Sequence, residues 1–121
     1  MKRSSIPVSL LASAVLCLSG ARAAGVTASE QSAIDQANSS IQALEVDRLA
    51  LQRKAHLTEK ACLKRFVSAA CLEEVRQSYF TEEREIDLKI EEQRLVIRRT
   101  EAEARRRDRE QRAAEIKAGR S

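Results

Sequence analysis

Cys62 and Cys71, nine positions apart, are the residues of this chain with the clearest chemistry to offer, and His56 is its one histidine. Two thiols at this spacing can exchange disulfides, bind a metal or form a structural bridge. Exchange chemistry is usually carried by Cys-x-x-Cys with a depressed thiol pKa, which this spacing does not provide. With His56 they make three potential ligands, short of the closed tetrahedral set that a structural zinc requires. Glu82, Glu83 and Glu85, or Glu91 and Glu92, offer paired carboxylates for acid–base work. They stand among arginines, however, and read as the solvated face of a charged helix. With no nucleophile–base pairing and no glycine-rich loop, the expectation is a non-enzymatic protein with no catalytic residue, metal or cofactor. The bridge is the favoured role for Cys62 and Cys71.

The compartment follows from the first residues. Lys2 and Arg3 are followed by an apolar run from Ile6 to Gly20 and by Ala21-Arg22-Ala23, the small-x-small pattern of a signal-peptidase site. The run is about 15 residues, short of the roughly 20 that span a bilayer. Residues 1–23 are therefore expected to be a signal peptide and residues 24–121 the mature chain, periplasmic or secreted. Cys17 follows Leu16, a bulky residue that argues against lipidation, and is expected to leave with the signal. In an oxidising compartment Cys62 and Cys71 pair. The 22 basic and 18 acidic residues come close to balance once Lys2, Arg3 and Arg22 are removed.

These groups must be positioned by helices. From Val26 to Ala118 there is neither Gly nor Pro, and Ala, Glu, Arg, Gln and Leu dominate. Thr27 and Glu30 have the spacing of a capping box, and Gly119 offers a left-handed stop. In the first arm Ile34, Ala37, Ile41, Leu44, Arg48, Leu51, Ala55, Thr58 and Cys62 occupy the a and d positions of a heptad. In the second, Leu72, Val75, Tyr79, Ile86, Ile90 and Ile97 fall on one face.

On one straight helix Cys62 and Cys71 would be about 13.5 Å apart, whereas a disulfide needs Cα atoms within roughly 7 Å. A bond within one chain thus requires a reversal. The expected fold is all-α, a long antiparallel, coiled-coil-like helical hairpin with a disulfide near the turn: helix 27–64, turn 65–68, helix 69–118. Lys60, Lys64 and Arg65 suit a helix C-terminus, Glu73 and Glu74 an N-terminal turn, and Ser68 a cap flanked by Val67 and Leu72 as a hydrophobic staple. A disulfide between two chains along a dimeric rod is the alternative that cysteine count leaves open.

Cys62-x-x-Arg65-Phe66 followed by Cys71-Leu72-x-x-x-Arg76 and a Glu/Arg-rich helix resembles an uncharacterised group of small exported α-helical proteins of proteobacteria. The resemblance covers roughly the second half of the chain. Ala69-Ala70 stands where that group often has polar capping residues. It implies an exported helical protein and no particular activity.

Two features invite a function. A reversal centred on Phe66 puts Ala28 beside Arg105, so the second helix is expected to overhang the first with Arg105, Arg106, Arg107, Arg109 and Arg112, then Lys117 and Arg120. That end suits an anionic envelope surface such as lipid head groups or lipopolysaccharide. A solvated helix end laced with Glu–Arg pairs is the plainer account. Nucleic acid is disfavoured, because the aromatic residues Phe66, Tyr79 and Phe80 lie far from these arginines and provide no stacking platform.

The second feature is two-sided. Relative to Ile86, Ile90 and Ile97 lie at about 40° and 20°, whereas Leu88 and Leu95 lie at about 200° and 180°. Val46 and Leu57 are likewise turned away from the first seam. A two-helix hairpin covers one face per helix, so the expected partner is a second copy or another helical protein. A helical periplasmic chaperone is a further alternative.

Overall fold

Freedom from Gly and Pro lets two helices run without interruption. The computed structural model describes residues 25–120, and the expected signal segment, with Cys17, lies outside them. Helix α1 spans Ala28–Leu63 and α2 spans Ala69–Gly119, packed antiparallel as a hairpin. At 1.5 Å per residue their lengths are about 54 and 76 Å.

The start of α1 follows the sequence. Thr27 Oγ1 accepts from the Glu30 amide at 3.2 Å, while Glu30 Oε2 accepts from the Thr27 amide at 2.9 Å. Both halves of the capping box are made. Before it, Gly25 has φ +92°, a conformation that costs other residues more, and a side-chain Cβ at this position would lie 3.6 Å from the Ala104 carbonyl oxygen of α2. At the far end Lys60 sits in the last turn, and the amides of Lys64 and Arg65 close on the carbonyls of Ala61 and Cys62.

Four local expectations fail at the ends of α2. Ser68 occupies the N-cap position but makes no side-chain cap hydrogen bond. Its φ and ψ of −91° and −22° are already helical, and an extended backbone is what normally swings the hydroxyl over the first amides. Helix α2 begins at Ala69, so Glu73 and Glu74 fall beyond its first turn, and the exposed Val67 forms no packed staple. Gly119 is the last helical residue and does not turn left-handed. The helix tightens instead, with the Arg120 amide donating to the Lys117 carbonyl at 3.3 Å.

The core is a single stripe, because each helix can cover only one face of the other. From α1 it takes the buried Ile34, Ala37, Leu51 and Cys62, and from α2 Ile90 and Ala104. Ile41, Leu44 and Ala55, and opposite them Leu72, Val75, Tyr79, Ile86 and Ile97, are half-buried along the same line. Thr58 departs from the heptad reading: it is exposed, and its hydroxyl donates to the Lys54 carbonyl of its own helix at 2.8 Å.

Arg48 is the charge inside the seam. Its guanidinium bridges Glu45, at 3.2 Å, and Asp87 of α2, while its Nε is buried with no hydrogen-bond partner among the described residues. A partly desolvated charge contributes little net stability. Its value is positional: the tie to Asp87 holds one axial alignment of the two helices, as polar residues at seam positions do. Lys54 and Glu82, 3.7 Å apart, agree with that alignment.

Candidate interaction surface

Cys62 and Cys71 are joined, with Cα atoms 5.6 Å apart. Cys62 is wholly buried at the end of the seam, and Cys71 is half-buried in the first turn of α2. The bond closes the hairpin across the turn, and neither sulfur has a free thiol to offer for exchange. His56 is exposed on α1. Among the described residues no group of three or more His, Cys, Asp or Glu side chains is arranged to hold a metal ion.

The carboxylate clusters are dispersed into separate partnerships. Glu82 accepts from Ser78 Oγ at 3.0 Å and faces Lys54. Glu83 accepts from the Tyr79 hydroxyl at 2.6 Å, and that bond raises the phenol's pKa. Glu91 pairs with Arg94 at 2.6 Å and Arg98 at 3.8 Å, and the Arg94 contact pulls its carboxyl below the ordinary range. A groove of about 200 Å³ between the helices is lined by Leu51, Ala55, Thr58, Val75 and Tyr79.

The Arg-rich end differs from the sequence expectation in register. Arg107 is not in the overhang: its Nη2 lies 2.6 Å from Glu30 Oε2 and donates to the Gly25 carbonyl at 3.4 Å. Gly25 therefore stands level with Asp108, whose Cβ lies 3.6 Å from the position a Gly25 side chain would take. Arg105 is 3.6 Å from Glu101, Arg106 is 3.9 Å from Glu110 and Arg112 is 2.7 Å from Asp108. Among the arginines expected to bind an anionic surface, Arg109 alone has no ion pair to a described residue.

The contact with Arg107, reinforced by the Thr27 amide, lowers the Glu30 pKa from 4.5 to about 2. A depressed carboxyl contributes its stability above the unfolded-state value and loses it as pH falls toward the folded-state value. The hairpin is accordingly expected to lose thermal stability between pH 4.5 and about 2 more steeply than its Glu30→Gln variant. Melting curves of both proteins through that interval test this; parallel loss in the two would show that Glu30 is not a coupled group.

The α2 segment from Ile86 to Ile97 has two apolar sides in the structure. Ile86, Ile90 and Ile97 face α1, with Ile90 1% exposed, whereas Leu88 is 63% and Leu95 37% exposed. On α1, Val46 and Leu57 are exposed as well. The sequence reading did not single out the turn as a surface. Leu63, Phe66 and Val67 form an exposed apolar tip, with Phe66 fully open. The signal was present: a phenylalanine at the centre of a reversal has no facing helix to cover it.

Among the described residues no helix is long and apolar enough to cross a membrane. Compared with known proteins, the chain matches no family model, no curated protein and no solved structure.

Proposed function

We propose that this chain is an exported helical protein that works by binding another helix, either in a second copy or in a different protein, and performs no chemistry itself. The observation that carries this reading is the exposure of Leu88 and Leu95 directly opposite the buried Ile90. Leucines a heptad apart on a rigid helix provide an ordered apolar stripe, the kind of surface that helix pairing buries. The disulfide is consistent with an oxidising compartment, the periplasm or the exterior.

Sedimentation of residues 24–121 across micromolar concentrations tests the reading. Concentration-dependent association, lost in Leu88→Gln/Leu95→Gln, supports it. A strict monomer that also fails to retain any helical partner from an envelope extract, or retains it equally with the two leucines replaced, removes it. Binding to anionic lipid through the basic end is the weaker alternative, because Arg105, Arg106, Arg107 and Arg112 already face carboxylates.

A further inference from the structure

Helix α2 is a charge dipole as well as a two-sided helix. Between Glu73 and Glu92 it carries eight acidic residues against three basic ones, and between Gln93 and Arg120 ten basic against five acidic. Its outward row, at heptad spacing, is Thr81, Leu88, Leu95, Ala102, Arg109 and Ile116. Parallel pairing of two such helices would set the net acidic half beside the acidic half and the net basic half beside the basic half. Antiparallel pairing places each acidic half on a basic half.

We propose that the outer face of α2 binds the same face of a second copy, antiparallel, with the two-fold axis midway between Leu88 and Leu95. The inference rests on the association reading above and gives it a partner and a register. In this register Leu88 faces Leu95 of the second copy, Thr81 faces Ala102 and Glu74 faces Arg109. Val67 at one hairpin tip then meets Ile116 of the other copy's overhang.

Four separate observations converge on this alignment. Leu88 and Leu95 are exposed and symmetric about the axis. Val67, 68% exposed in the turn, and Ile116, 55% exposed near the end of α2, are apolar residues at opposite ends of the molecule, and antiparallel pairing brings those ends side by side. Glu74 and Arg109 are exposed and make no ion pair with another described residue, so each is available to the other. The last turns of α2 extend beyond the level of Gly25, the first described residue, and thus have length to reach a second molecule's tip. Near the axis Glu91 would approach Glu92 of the second copy, and Glu91 is already compensated by Arg94 and Arg98. The assembly is a four-helix arrangement with the two α2 helices inside.

Charge reversal in residues 24–121 tests the register by sedimentation equilibrium at low salt. E74R and R109E alone each create two like-charge contacts per dimer and are expected to weaken self-association about tenfold. An equimolar mixture of E74R with R109E restores both contacts as opposite pairs, and so does the double variant E74R/R109E. Both are expected to associate as tightly as wild type. If the mixture is no tighter than the single variants, the antiparallel register is wrong; loss of dimer in L88Q/L95Q would then still uphold association through this face. A wild-type dimer that survives L88Q/L95Q places the interface elsewhere and overturns the proposal. A wild-type monomer overturns it too, and retention of a different helical protein through Leu88 and Leu95 would leave the broader reading standing. Circular dichroism of each variant separates lost association from lost folding.

Discussion

Ile90→Ala is expected to lower the stability of the hairpin by about 3 kcal/mol. Ile90 is one of the largest fully buried side chains among the described residues, 1% exposed on a helix whose neighbouring core positions are only partly covered. Removing its outer carbons loses their transfer from water and leaves a gap that two stiff helices fill poorly. In a single-stripe core no second layer can move inward. Val46→Ala is the control, since Val46 is 64% exposed on the far side of α1, and should change stability by no more than about 0.5 kcal/mol. Urea unfolding at one fixed protein concentration measures both. Equal effects of the two substitutions would mean that Ile90 is not the centre of the packed face.

Removing the disulfide with Cys62→Ser/Cys71→Ser is expected to cost about 2.7 kcal/mol, the loop-closure value for a ten-residue ring. The bond lies where it acts most directly on the fold, because the turn it spans contributes almost no burial of its own: Leu63, Phe66 and Val67 are all exposed. Without it, the reversal is held by the seam and by exposed ion pairs, which are worth little individually. Urea midpoints of the oxidised wild type and the double serine variant give the difference, read together with non-reducing peptide mapping. A Cys62–Cys71 peptide from one chain is expected. Linkage between chains would replace the hairpin with an elongated dimer and remove the basis of the estimate.

The stabilising contacts are unevenly distributed along the molecule. The disulfide guards the turn, the Arg48–Asp87 tie holds the middle, and the Glu30–Arg107 pair fastens the open end. The disulfide does not titrate, whereas the Glu30–Arg107 pair is lost as pH falls toward about 2, so strong acid should loosen the chain entry and the end of α2 before the disulfide-closed tip. None of the three uses the outer face of α2. That face is therefore left available for a partner without competition from the fold.

Much of this architecture is written locally. The Thr27–Glu30 box, the absence of Gly and Pro and the heptad spacing of Ile34 to Cys62 each act over a few residues, so helix identity and the α1 start were legible. The reversal was legible on the premise that Cys62 and Cys71 pair within one chain, because disulfide reach and helix rise are incompatible on one rod. The opposed placement of Ile90 and Leu88 needed only the helical period.

Other features depend on how one helix slides along the other. A small change in the assumed register separates an overhanging Arg107 from one bound to Glu30, and neither residue's neighbours along the chain reveal it. Thr58 fits the heptad yet is exposed, and Ser68 stands at the cap with a backbone that prevents capping. By itself, then, the sequence determined that long helix stands on both sides of a cysteine pair and that the second helix has more apolar surface than one partner helix can cover. Only the tertiary structure decided which arginines are already paired and which leucines remain outside. Those answers depend on axial alignment, a property of side chains far apart in the chain packing together.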